Sequence, residues 1–134
     1  MNAISILLIE DDPDDIELMQ EALMDNNIEY KLETINQGDR VVGYLELCKK
    51  FPDIIILDLN LPKLHGREVL TRLKQSEMFR NIPVVILTTS SSPVEKEYCL
   101  RAGASSFITK PSTVDGFNET VSEIVNIARF ELKN

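Results

Sequence analysis

Apolar and polar positions alternate in blocks along this chain. Ile4 to Ile9 (ISILLI) is a short apolar run of strand length. Asp12 and Pro13 then form a helix-start signal, an N-cap residue followed by a proline at the first helical position. Ile16, Met19 and Leu23 recur behind it at helical spacing, with Leu18 and Ala22 beside them, and Asp25-Asn26-Asn27 closes the helix. Tyr30 to Ile35 (YKLETI) mixes apolar and polar residues as a strand. After a turn at Asn36 to Asp39, Val41, Val42, Leu45 and Cys48 mark a second helix. Ile54 to Leu57 predicts a third strand, and Arg67 to Ser76 a third helix with Val69, Leu70 and Leu73 inward. Val84 to Thr88 lies in a fourth strand. Ser92, Pro93 and Glu95 spell the start of a fourth helix, a capping box with proline inside it, and Gly103 its end. Ser105 to Thr109 predicts a fifth strand. Ser112 is placed to cap a last helix whose Phe117, Val121, Ile124 and Ala128 form one stripe.

Five strand–helix repeats predict an α/β fold: a parallel sheet with helices on both faces. The strands differ in kind. The first, third and fourth are near-continuous apolar runs, as strands covered on both faces require, and the second and fifth are mixed, as edges are. This favours a doubly wound, five-stranded sheet in the order 2-1-3-4-5. In that topology a ligand site lies beyond the carboxyl ends of the strands, at the switch point between strands one and three. The 134 residues fit one domain, 1–134.

Charge and cysteines narrow the function. A net charge of −8 argues against binding nucleic acid, which depends on Lys and Arg neutralising phosphates. No apolar run approaches the ~20 residues of a membrane helix, and no basic, cleavable leader is visible. Cys48 and Cys99 lack metal or redox spacing and read as reduced, buried thiols, so a cytoplasmic location is expected.

Two acidic groups meet at the switch point. Glu10, Asp11 and Asp12 follow strand one, and Asp58 ends strand three in the run Ile54 to Pro62 (IIILDLNLP). An ionised carboxylate at the edge of an apolar strand is costly unless compensated, or else it merely opens a turn. A glycine-rich phosphate loop is absent; three carboxylates stand where it would be. Oxygen donors without His or Cys suit a hard cation such as Mg²⁺. Thr88 ends strand four and Lys110 follows strand five, so a hydroxyl and an ammonium face the same crevice. These residue types suggest roles. Asp58 is a carboxylate nucleophile for a phosphoryl group. Asp11 holds the metal, with Glu10 acting through water. Lys110 contacts Asp58 or the phosphoryl group, and Thr88 donates its hydroxyl to a phosphoryl oxygen.

With these residues in place, the chain resembles the receiver domain of a two-component response regulator, similar to the stand-alone chemotaxis type. The stretches that carry the likeness are ILLIEDDPDD, PDIIILDLNLPKLHG, IPVVILTTS and AGASSFITKP. EDDPDD and DLNLPKLHGREVL look closest to single-domain regulators that partner phytochrome-type histidine kinases. The resemblance implies a flavodoxin-like fold and Asp58 as phosphoacceptor. It implies Asp11, Asp58 and the backbone carbonyl of Asn60 as Mg²⁺ ligands, with Glu10 bound through water. It also implies Thr88 and Phe107 as a switch pair, Lys110 as the phosphoryl-contacting lysine, and a cis peptide between Lys110 and Pro111. The phosphodonor it implies is a sensor histidine kinase. Output would run through protein contact, including a possible homodimer through helix 4, strand 5 and helix 5, where Ile127 and Phe130 are candidate contacts. His65, Thr89 and Ser90 depart from the commonest pattern and bear on the lifetime of the phosphorylated state.

Blander readings stand beside these. Asp12 reads as a helix cap rather than a ligand, His65 as a surface loop residue, and Asp14, Asp15 and Glu17 as a solvated helix start. Phe107 could be plain edge-strand packing. The competing functions are an aspartyl-phosphate phosphatase of the haloacid dehalogenase type and a flavodoxin-like FMN carrier. The first uses a second Asp two residues after its nucleophile, where this chain has Asn60. The acidic loop after strand one argues against the second.

Overall fold

A computed structural model describes residues 3–133. Its strands are β1 (Ile4–Ile9), β2 (Tyr30–Ile35), β3 (Ile54–Leu57), β4 (Val84–Thr88) and β5 (Ser106–Thr109). Its helices are α1 (Pro13–Asp25), α2 (Val41–Glu46), α3 (Gly66–Gln75), α4 (Pro93–Arg101) and α5 (Val114–Lys133). All strand pairs are parallel and the order is β2-β1-β3-β4-β5, as the edge and centre patterns predict.

Strand side chains alternate between faces, so each inner strand feeds two cores. Ile4, Ile6, Leu8, Ile54, Ile56, Val85 and Leu87 pack with α1 and α5, against Met19, Leu23, Val121 and Ile124. Leu7, Ile9, Ile55, Leu57, Val84 and Ile86 pack on the other face with Val41 and Leu45 of α2, Leu70 and Leu73 of α3, and Cys99 of α4. Burial on both faces explains why β1, β3 and β4 read as near-continuous apolar runs.

Helix ends follow their side chains. Asp12 caps α1 by accepting from the Asp14 N–H at 2.9 Å. Asn27 then reverses the chain at φ 55°, in the left-handed region that asparagine tolerates. His65 is more than a loop residue: its Nδ1 accepts from the Arg67 N–H at 3.1 Å and caps α3. Ser92 caps α4 through the Glu95 N–H, but the Glu95 carboxylate does not complete the expected box. It accepts instead from Ser90 Oγ at 3.0 Å. At the start of α5 the cap is Thr113 rather than Ser112, its hydroxyl accepting from the Gly116 N–H at 3.0 Å. Cys99 is buried as expected. Cys48 lies just past the end of α2 and is half-buried.

Candidate functional site

The site forms because three strand ends stop at one level. The register pairs Ile9 with Leu57, and the Asp58 N–H then donates to the Ile9 carbonyl at 3.0 Å. Glu10 and Asp58 are thereby drawn to the ends of adjacent strands. Lys110 is set from the other side, its N–H donating to the Thr88 carbonyl at 2.7 Å. Gly66, at the start of α3, lies so close that a Cβ there would sit 2.4 Å from the Asp58 carbonyl oxygen. A side chain at that position would displace the strand end carrying Asp58.

Glu10 is 2% and Asp58 5% exposed, whereas Asp11 is open to solvent. One carboxylate oxygen from each of Glu10, Asp11 and Asp58 falls within 4.8 Å of the others. Asp58 Oδ1 accepts from the Asn60 N–H at 3.2 Å, while Oδ2 pairs with Lys110 Nζ at 3.1 Å. The same ammonium also reaches Glu10 at 2.8 Å and Asp15 at 2.7 Å, with only 9% of the lysine side chain exposed. This cation offsets the cost of burying a strand-end carboxylate. Burial alone would lower the Lys110 pKa; hydrogen bonds to Asp15 and Glu10, with the nearby negative charges, outweigh it and raise the pKa. Burial, aided by the Asp58 charge and opposed by Lys110, pushes the Glu10 carboxyl from its ordinary 4.5 up to about 7.

Glu10, Asp15 and Asp58 share the Lys110 ammonium, and Asp11 adds a fourth carboxylate beside Glu10 and Asp58. The excess negative charge, the oxygen-only donors and the solvent-open Asp11 fit a divalent cation at the mouth of the crevice. This donor chemistry suits a hard ion over one that prefers thiolate or imidazole.

The structure places the remaining candidates as follows. Thr88 is fully buried at the end of β4, and its Oγ1 accepts from the Ser90 N–H at 3.4 Å. Phe107 is half-buried and pairs in register with Ile86, not Thr88, whose partner is Thr109. Phe107 packs against the α2–α3–α4 core. Asn60 is exposed, with its side-chain amide 3.5 Å from Thr89 Oγ1. The Lys110–Pro111 peptide is trans, which corrects the cis expectation. Trans is the lower-energy X–Pro form by ~0.5–1 kcal/mol, and Lys110 reaches all three carboxylates without isomerisation.

Two features escaped the sequence. Asp15 is not a solvated helix-start residue but a partly buried partner of Lys110. Its position in the first turn of α1, on the side of the strand ends, was the available signal. Ser90 is a junction: its Oγ donates to Glu95 and accepts from the Ser92 N–H at 3.2 Å. Its carbonyl accepts from Thr109 Oγ1 at 3.0 Å.

The fold, with its sheet order β2-β1-β3-β4-β5, is that of response regulator receivers. The sequence matches the response regulator receiver domain over residues 6–122, and the chain belongs to that family. It is 35% identical over 123 residues to the probable methanogenesis regulatory protein FilR2 of Methanothrix harundinacea, covering 89% of this chain and 79% of that protein. It is 42% identical over 90 residues to the response regulator Rcp1 of Synechocystis sp., covering 63% of this chain and 61% of Rcp1's length. The crystal structure of the phosphorylated cyanobacterial phytochrome response regulator RcpA superposes with a TM-score of 0.84 at 34% identity, over 92% of this chain and 91% of that one. The Mn²⁺-bound form of Rcp1 gives 0.81 at 33% identity, over 90% and 91%. Membership of this family displaces the dehalogenase-type reading, in keeping with Asn60 where that chemistry needs an acid.

Proposed function

We propose that this chain is a phosphoacceptor switch whose Asp58 receives a phosphoryl group from the phosphohistidine of a sensor kinase. The observation that carries this is the buried Asp58 carboxylate, held between Lys110 and the carboxylates of Glu10 and Asp11. In the transfer, the phosphorus–nitrogen bond of phosphohistidine breaks as a phosphorus–oxygen bond to Asp58 forms. The imidazole leaves with the electron pair and takes up a proton.

Asp11, Asp58 and the Asn60 carbonyl are the ligands proposed for Mg²⁺, with Glu10 acting through water. Bound there, the ion would neutralise phosphoryl oxygens and favour in-line transfer. The chain's own groups do the rest. Lys110 offers a fixed positive charge to the incoming oxygens. The Asn60 N–H and Lys110 hold the Asp58 carboxylate in one orientation. Thr88 would give up its bond from the Ser90 N–H to donate its hydroxyl to a phosphoryl oxygen. Phe107 would follow, since it lies on the same sheet face one pleat earlier, against Ile86. The capture of RcpA in a phosphorylated form and of Rcp1 with Mn²⁺ supports both halves of this reading.

Incubation with phosphoramidate and Mg²⁺ should add one phosphoryl group, read by intact-mass spectrometry, and Asp58→Asn should abolish it. Equal labelling of the two proteins would overturn the assignment.

The output surface we propose is the face of α4, β5 and α5. Leu100 of α4 is 42% exposed, on the side of the helix away from Tyr98 and its α3 contacts, and Phe130 of α5 is 66% exposed beside the half-buried Ile127. Exposed apolar groups on one face favour a protein contact. Sedimentation of the unphosphorylated and phosphorylated chain should show tighter self-association in the second. A monomer in both states would leave this face to a different protein partner.

A further inference from the structure

The Lys110 ammonium lies against three carboxylates, donating to Asp15 and Asp58 and forming an ion pair with Glu10. Two of these acceptors, Glu10 and Asp58, belong to the strand ends that define the site. The third, Asp15, comes from α1, and its contact of 2.7 Å is the shortest of the three; that to the phosphoacceptor, 3.1 Å, is the longest. We propose that Asp15 is a positioning residue that anchors the Lys110 ammonium from α1, so that it meets the phosphoryl group already oriented. This rests on the phosphoacceptor reading of Asp58.

Three observations support the anchor. Asp15 stands on a rigid support, because Asp12 caps the first turn of α1 and Pro13 fixes its first residue. The pair is largely buried, at 9% side-chain exposure for Lys110 and 22% for Asp15, so it escapes most of the screening that makes surface ion pairs weak. Asp15 also lies outside the trio of carboxylates that converge for a cation. Its negative charge therefore serves the lysine. A flexible four-carbon stem loses entropy when its end is fixed, and an end fixed before reaction loses none during it.

The alternative is that Asp15 merely favours the positive end of the helix, as acids in a first turn do. That role is independent of Lys110, which separates the two. If Asp15 acts through the lysine, Asp15→Asn should slow Asp58 labelling by phosphoramidate and Mg²⁺ about fivefold, and Asp15→Glu should restore most of the rate. In a Lys110→Met background, Asp15→Asn should cause no further slowing, because an uncompensated Asp15 would only repel the incoming phosphoryl group. A wild-type rate in Asp15→Asn, or an equal slowing in both backgrounds, would overturn the anchor.

A second measurement needs no phosphorylation. Competitive acylation of lysine amines, read by peptide mass spectrometry, should modify Lys110 in Asp15→Asn about threefold faster than in wild type, with exposed Lys31 as the internal standard. Unchanged Lys110 reactivity would overturn the anchor even where labelling of Asp58 slows. Failure of the wild type to take a phosphoryl group would instead count against the role of Asp58, and the acylation result would still decide whether Asp15 holds the lysine.

Discussion

α4 and α5 flank the same edge strand, yet they are held by different physics. α5 buries Phe117, Val121, Ile124, Val125 and Ala128 against the sheet. α4 buries only Cys99 among its apolar side chains and leaves Val94, Tyr98 and Leu100 exposed. What holds α4 is polar. Ser92 caps it, Glu95 takes the Ser90 hydroxyl, the Tyr98 hydroxyl meets Thr71 Oγ1 at 3.1 Å, and Arg67 lies 5.5 Å from the Tyr98 ring centre. Apolar burial is lost in proportion to the area exposed, whichever way a helix moves. Hydrogen bonds to water or to another partner replace one another at a net cost of about 1 kcal/mol each. A helix held by the second kind can shift without unfolding the domain, and α4 starts at the loop that follows Thr88.

The strongest way to break this comparison is to weaken the apolar side. Ile124→Ala in α5 should destabilise the fold by ~2–5 kcal/mol in urea unfolding, a large share of the ~5–15 kcal/mol typical of a domain. Leu100→Ala in α4 should stay within about 0.5 kcal/mol, because Leu100 is already exposed. Comparable losses from the two would mean that α4 is anchored by packing after all.

The same division governs what the sequence revealed. The strand order was legible because burial on two faces leaves a near-continuous apolar run, and β1, β3 and β4 carry one. The gathering of Glu10, Asp11, Asp58 and Lys110 was legible because each lies within two residues of a strand's end, and a parallel sheet brings those ends together. Polar tethers were harder to read. Asp15 was masked because an acid in a first helical turn is favoured whatever else it does. Ser112 and Thr113 offer the same hydroxyl one residue apart, and only backbone geometry selects Thr113. Glu95 had two serines within reach, and it serves Ser90 rather than Ser92. The cis peptide at Pro111 came from resemblance alone, and the Lys110–Pro111 bond is trans.

The smaller prediction tests the tether itself. Glu95 connects α4 to Ser90, Ser90 connects through its N–H to Thr88 and through its carbonyl to Thr109 of β5, so one serine joins three elements. Glu95→Ala removes the acceptor of the Ser90 hydroxyl and one acid from the first turn of α4. The loss of stability should be no more than about 1–2 kcal/mol, the sum of one hydrogen bond and one helix-end charge. Its distribution matters more than its size. Hydrogen exchange should quicken in the Thr88–Ser92 loop and in α4, while β1, β3 and α5 stay protected. Tyr98→Phe, which loses only the Thr71 contact, should give the same pattern more weakly. If exchange quickens equally in α4 and α5, the two helices unfold as one unit. If it is confined as expected, the loop after Thr88 is the compliant part of the molecule. Glu95→Ala should then also ease the release of Thr88 from the Ser90 N–H that phosphorylation of Asp58 is proposed to require.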